Sequence, residues 1–246
     1  MNGNWDKAKF AECIEKFGLY KPATRVVNYL EEYLDTFINP AGKNVLDVGG
    51  GRGIHSLWCI ARGANSVLCL EPFVDDAVIN AFLSAAKLFE STRKVSSVKK
   101  KIQDFESPHG YYDLIMLHNS VNHIDDAKCM VLHKDSGARE EYIKIFKKLA
   151  LMTTRGGEIA IMDCARKNFF PMLGMKNPFW RTIGWEKHQS PYLWAELLRE
   201  AGFSEPQIRW KHPSGTKWSL PLRRLFANRV GAYFYVSHFA LKMKLL

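Results

Sequence analysis

The sequence predicts an α/β fold, a seven-stranded and mostly parallel sheet with helices on both faces. Three observations predict it. Short apolar runs alternate with segments of helical periodicity. A glycine-rich turn leaves the first of those runs and opens a helix directly. The last stretch, Phe203 to Leu246, holds two further strands' worth of apolar residues, which would close an edge.

Thr24–Phe37 reads as a helix, with Val26, Val27, Leu30, Tyr33 and Leu34 on one side. "INPAGK" breaks it, and Asn44–Gly50 is the first strand. "GIHSLWCIARG" is a helix stopped by Gly63. Ser66–Pro72 is the second strand. "DDAVINAFLSAAKLF" follows as a helix with its acids in the first turn, where the helix dipole favours them. "VSSVKKKIQDF" is a more polar third strand and "YDLIMLHNS" the fourth. "REEYIKIFKKLALMT" is a helix and "GGEIAIMDCA" the fifth strand. "SPYLWAELLREAGF" is a helix with Ser190 as N-cap, Pro191 in the first turn and Gly202 near its stop.

The 246 residues suit a single domain with a full core. Five scattered cysteines without C-x-x-C spacing argue against a zinc site or a disulfide framework. No apolar run reaches the length of a membrane span, and the first residues lack a signal-peptide pattern. The expected location is cytoplasmic. Residues 166–246 hold 14 Lys and Arg against four acids, so this third carries the whole net charge of +10. Such a surplus suits an anionic partner or a merely basic surface.

"VLDVGGGRG" is the most informative stretch. A buried strand ends at Asp47, then Gly49, Gly50, Gly51 and Gly53 lead into a helix. Glycines let backbone turn sharply and approach a ligand, and the helix start offers free N–H groups. This makes a nucleotide or nucleoside pocket at the carboxyl end of the first strand. The spacing is G-x-G-x-G and not the G-x-G-x-x-G of dinucleotide folds. Glu71, at the end of the second strand, is placed to accept hydrogen bonds from two ribose hydroxyls.

With "LCLEP", "IQDF", the polar end of "YDLIMLHNSVNHI" and "GGEIAIMD", the chain resembles the class I S-adenosylmethionine-dependent methyltransferases over roughly residues 24–246. The resemblance implies S-adenosylmethionine as cofactor and S-adenosylhomocysteine as product. It implies that Asp47, Gly49 and Gly51 hold the methionine part, that Glu71 binds the ribose, and that Asp104 meets the adenine amine with Gln103 and Phe105 beside it. Pro72 stands where many relatives have an adenine-stacking apolar residue, so Phe73 or Ile102 is expected to take that place.

In such a fold the fourth strand ends beneath the reactive methyl, so "HNSVNHID" becomes the acceptor-facing floor. A hydroxyl acceptor benefits from a general base, and His118 and His123 are the candidates; transfer by proximity alone stays open. His118 and Asn119 also adjoin the cofactor, and Asn122 is placed to bond the acceptor. Cation-dependent catechol-type relatives use an acid here and an Asp-Asn pair after strand five. This chain has His118, and Asp163 with Cys164, so no metal is expected.

Residues 166–190 form a long aromatic connection, read as an insertion shaping the acceptor pocket. Phe169, Trp180 and Trp185 would supply apolar walls, and Arg181 and His188 contacts to an anionic group. Residues 1–23, with Trp5, Phe10, Phe17 and Tyr20, would cap the same pocket. "SLPLRRLFANRVGAYFYV" is cationic and partly amphipathic, fit to dock on an anionic membrane surface but expected to pack on the chain's own sheet. The first functional reading is methylation of a hydroxyl on a metabolite, sugar or lipid-linked molecule. Others are an RNA methyltransferase using the basic third, and a non-catalytic S-adenosylmethionine-binding protein. RNA is disfavoured because strand four lacks an N-P-P-Y-like sequence. Oligomeric state is not legible.

Overall fold

The computed structural model describes residues 5–89, 94–212 and 220–246. Its strands are β1 Asn44–Val48, β2 Ser66–Leu70, β3 Lys94–Val98, β4 Tyr112–His118, β5 Thr153–Cys164, β6 Gln207–Trp210 and β7 His238–Lys244. Its α-helices are α1 Lys7–Lys16, α2 Ala23–Tyr29, α3 Ile54–Ala61, α4 Asp76–Ala86, α5 Asp126–Val131, α6 Ser136–Met152, α7 Phe169–Met172, α8 Pro191–Glu200, α9 Leu220–Leu225 and α10 Arg229–Phe234. The strands form one seven-stranded sheet in the order β3-β2-β1-β4-β5-β7-β6. β1 runs parallel to β2 and β4, and β2 parallel to β3, while β6 and β7 pair antiparallel at the far edge. No described helix is long and apolar enough to cross a membrane.

The chain forms two compact units. The first comprises residues up to His118 together with Met152–Glu158; the second comprises Asn119–Leu151 and Ile159–Leu246. In the first unit β1 and β2 read as near-continuous apolar runs because parallel strands are covered on both faces. α3 buries Leu57, Trp58, Cys59 and Ile60 completely, each worth roughly 1.5–3 kcal/mol when an aliphatic or aromatic side chain of this size leaves water. Asp35 ties this core to the N-terminal segment. Its carboxylate accepts Trp5 Nε1–H at 2.7 Å and Trp58 Nε1–H at 3.0 Å, and Arg62 Nε lies 3.3 Å away. In the second unit Ser190 caps α8, accepting Leu193 N–H, and α8 buries Trp194, Leu197 and Leu198. The Trp194 ring meets Tyr142 tilted and Phe146 edge-on, both of α6.

Three local expectations change. The helix expected over Thr24–Phe37 is α-helical only through Tyr29 and then widens into a π-turn, Leu30–Leu34, which lets Leu30, Tyr33 and Leu34 all reach the core. The third strand ends at Val98, and Ile102–Asp104 form a 3₁₀ turn, because three consecutive lysines (Lys99, Lys100 and Lys101) favour solvent over a sheet interior. The cationic stripe, expected to pack inward, is covered only in part: it splits at Asn228 into α9 and α10, Ala232 and Val236 are buried, and Leu222, Leu225 and Phe226 face solvent.

Candidate functional site

The glycine turn is built as the sequence demands. Gly49, Gly51 and Gly53 adopt φ of 70°, 55° and 74°, a region costly for residues with a Cβ. At Gly50 a Cβ would lie 2.5 Å from Cys69 Sγ and 2.9 Å from Asp47 Oδ2. The turn therefore brings bare backbone against the end of β1, leaving room for a ligand. Glu71 braces it: one carboxylate oxygen accepts Gly51 N–H and the other Phe73 N–H, both at 3.0 Å. Each oxygen keeps a second lone pair, which is what two ribose hydroxyls require.

Asp47 is completely buried. Ser56 Oγ–H donates to its Oδ2 at 2.6 Å, while Oδ1 is buried without a partner among the described residues. Burial pushes its pKa up to about 6, the Ser56 hydrogen bonds opposing the shift. A buried carboxylate oxygen without a donor is the feature a ligand's ammonium group would satisfy. S-adenosylmethionine therefore fits this turn: Asp47 and the glycine backbone for its methionine end, Glu71 for its ribose. Farther along, Gln103 and Asp104 are exposed on the 3₁₀ turn, and Ile102 and Phe105 are buried beside them. Pro72 is half-buried, and Phe73 is exposed with Lys101 Nζ 5.8 Å from its ring centre.

The first unit also assembles an aromatic cluster. His118, the last residue of β4, lies 2.9 Å through Nε2 from the Tyr29 hydroxyl. Its ring stacks on that of His55 with centroids 3.7 Å apart. His55 Nε2 is buried without a partner among the described residues, and burial lowers its pKa to about 4, so the ring is neutral near pH 7. Tyr29 and His55 were not assigned any role from sequence. Tyr29 meets His118 across 89 positions, which no local pattern signals. His55 had a signal, a polar ring inside the otherwise apolar "GIHSLWCIA".

The second unit begins at the strand-four exit. Asn119 holds φ 51°, a strained left-handed geometry, and its N–H donates to Met162 O at 2.7 Å. That bond ties the residue after β4 to the stretch of β5 that carries Asp163. Asp163 is fully buried; its Oδ1 accepts Cys164 N–H at 2.8 Å and lies 2.9 Å from His188 Nδ1. His188 is thereby fixed with Nδ1 as donor. Its Nε2 has no hydrogen-bond partner among the described residues, and it is not closed off from solvent, the side chain being 13% exposed.

His123 sits differently. Its side chain is 58% exposed, Nδ1 lies 2.9 Å from Asp126 Oδ1, and Asn122 Nδ2 approaches Nε2 at 3.4 Å. Burial works against it, but hydrogen bonds from His123 and Lys187 hold the Asp126 carboxyl below its ordinary pKa. Asn122 is buried with Oδ1 unpartnered. Phe169 packs against Phe234 and Tyr233. Trp180 and Arg181 are exposed, and Trp185 is half-buried in a 3₁₀ turn beside His188. Among the described residues no group of three or more His, Cys, Asp or Glu could hold a metal ion.

A family model described as a methyltransferase domain matches residues 20–205. A ribosomal protein arginine N-methyltransferase of Schizosaccharomyces pombe is 35% identical over 78 residues, 31% of this chain and 13% of that protein. A ubiquinone biosynthesis O-methyltransferase of Aromatoleum aromaticum is 28% identical over 150 residues, 56% of this chain and 62% of that protein. The chain thus spans less than two thirds of the length of these curated relatives. Among solved structures, geranyl diphosphate C-methyltransferase from Streptomyces coelicolor, in complex with Mg²⁺, geranyl diphosphate and S-adenosylhomocysteine, superposes with a TM-score of 0.60. The identity is 14%, covering 99% of this chain and 88% of that one, a likeness of fold alone.

Proposed function

The chain belongs to the methyltransferase-domain family, and on that premise we propose that it transfers a methyl group from S-adenosylmethionine to a hydroxyl of a metabolite, sugar or lipid-linked acceptor. When bound, the cofactor supplies an electrophilic sulfonium methyl. Asp47 and the glycine turn hold its amino-acid end and Glu71 its ribose. His118, fixed by Tyr29 and His55, serves as a wall on the cofactor side.

The observation that carries the oxygen reading is the His188–Asp163 pair. A neutral hydroxyl must lose its proton as it is methylated, and a histidine near neutral pH is suited to accept it. Asp163 accepts a hydrogen bond from His188 Nδ1–H, which leaves Nε2 as the basic atom, and it stabilises the imidazolium formed when Nε2 takes the acceptor's proton. Of the two histidines expected from sequence, His118 already engages Nε2 with Tyr29, and both ring nitrogens of His123 face partners. His188 therefore takes the base role in this reading.

The test uses methyl-tritiated S-adenosylmethionine with the purified chain and a cell extract separated into lipid, nucleic-acid, protein and small-molecule fractions. Label is expected as a methyl ether in the lipid or small-molecule fraction. His188→Ala should lower its rate by about 10²-fold or more while cofactor affinity by calorimetry stays unchanged. His118→Ala and His123→Ala should cost less. Label confined to RNA, or full activity in His188→Ala, would remove the reading.

A further inference from the structure

We propose that one face of the second unit docks on an anionic lipid bilayer. It is independent of which atom the enzyme methylates. The face is made by the segment around α7 packing on α10. Phe169 meets Phe234 at 4.9 Å and Phe179 meets Tyr235 at 4.8 Å between ring centres. The Asn168 side-chain amide donates to Tyr233 O at 2.9 Å and Asn177's to Tyr235 O at 2.6 Å. The turn between α9 and α10 is tight, since a Cβ at Gly231 would lie 2.3 Å from Phe226 O. The scaffold is thus held by ring contacts and amides that leave Phe179 and Phe234 half exposed, while Leu173, Leu225 and Val230 are more exposed still.

Those outward residues are concentrated. Of the 18 exposed large apolar residues among the described positions, ten lie within 172–180 and 222–234. Single exposed apolar side chains are ordinary, but a cluster of this density marks an interaction surface. Leu225, Val230 and Phe234 are 72%, 66% and 50% exposed, and Leu173 and Trp180 are 59% and 52%.

The charge around them selects the partner. Lys176, Arg181, Arg224 and Arg229 are exposed in the same two segments. Residues 165–185 and 220–237 contain no Asp or Glu. Apolar side chains that enter the headgroup–acyl boundary, ringed by cations that hold phosphates, are the chemistry of an interfacial segment on an anionic leaflet. A nucleic acid would engage the cations and the rings by stacking. It offers nothing to exposed aliphatic residues such as Leu173, Leu225 and Val230, which a bilayer accepts.

The experiment is co-sedimentation of the full chain with phosphatidylcholine vesicles, with and without phosphatidylglycerol, at low and raised salt. Binding is expected only with phosphatidylglycerol and should weaken with salt. The pair Leu225→Ser with Val230→Ser, and separately Arg224→Gln with Arg229→Gln, should each lower partitioning by about tenfold or more. Both pairs are exposed, and thermal melting should confirm an intact fold. Three results would overturn the proposal: no vesicle binding, equal binding to phosphatidylcholine alone, or binding that both pairs leave unchanged. Arginine-dependent binding to a single-stranded RNA oligonucleotide without vesicle binding would reassign the face to nucleic acid.

Discussion

Asp47 and His55 stand nine and one residues from Ser56, and burial drives their pKa values in opposite directions, to about 6 and about 4. An acid whose folded pKa is raised has its stabilising contribution below its unfolded value near 3.8 and loses it as pH rises through about 6. A histidine whose folded pKa is depressed contributes above its unfolded value near 6.5 and loses that contribution as pH falls toward about 4. Between pH 4 and 6 the two slopes oppose each other, each over about two pKa units or ~3 kcal/mol at most. Asp47→Asn should therefore raise stability at pH 7.5 by about 1–3 kcal/mol and steepen the loss of stability on acidification relative to wild type. The same substitution should weaken S-adenosylmethionine binding. Urea unfolding from pH 5 to 7.5, paired with calorimetry, checks both; equal stability at pH 7.5 would mean that Asp47 is not held as a buried charge. Such a site sacrifices fold stability to keep a carboxylate ready for a ligand.

At the scale of elements, the turn between β1 and α3 is where local geometry and packing are least separable. Gly53 has φ 74°, and a Cβ there would lie 2.4 Å from the Phe82 ring of α4, itself buried. Backbone strain and overpacking add at this position, so Gly53→Ala should destabilise by about 2–4 kcal/mol. Gly18, with φ 67° but open space around it, should cost only about 1 kcal/mol on the same change. Chemical denaturation of the two variants separates the terms, and equal losses would show that α4 yields to the added methyl. The turn is also an anchor for the N-terminal segment: Arg52 Nη1 donates to Gly18 O at 3.1 Å and Leu19 O at 3.4 Å. The π-turn after Tyr29 is a second such element, since it begins where the Tyr29 hydroxyl must reach His118.

For the whole molecule, the cofactor contacts derived above lie in the first unit, whereas the His188–Asp163 pair and the apolar cationic face lie in the second. Ligand binding to the folded chain stabilises by mass action, about 2.7 kcal/mol at a hundredfold excess over Kd. For a chain of this size that corresponds to a rise in melting temperature of roughly 5–10 °C. S-adenosylhomocysteine should produce it in wild type, and Glu71→Ala should abolish it while melting normally without ligand. A calorimetric scan also tells whether the two units melt together: a split transition in which only one component shifts would assign binding to that unit. A shift undiminished in Glu71→Ala would remove Glu71 from the site.

The order of strands and helices, the glycine turn and the acid closing β2 were all legible in sequence, because each depends on neighbours within a few residues: periodicity, φ > 0, a strand end. So was the basic character of the last third, which is composition alone. What lay beyond sequence was every feature made by residues far apart. Tyr29 finds His118, His188 finds Asp163, and Asn119 pairs with Met162 only once strands β4 and β5 lie side by side. The expectation that the cationic stripe would pack inward holds only for part of it, Ala232 and Val236 being buried, for the same reason. Periodicity locates an apolar side but not what covers it, and here the rings around α7 meet α10 at Phe234 while Leu225 and Val230 are left to solvent. Local sequence determined the glycine turn proposed to hold the cofactor; tertiary packing decided which side chains meet within each unit, because it alone sets burial and the partner of each polar atom.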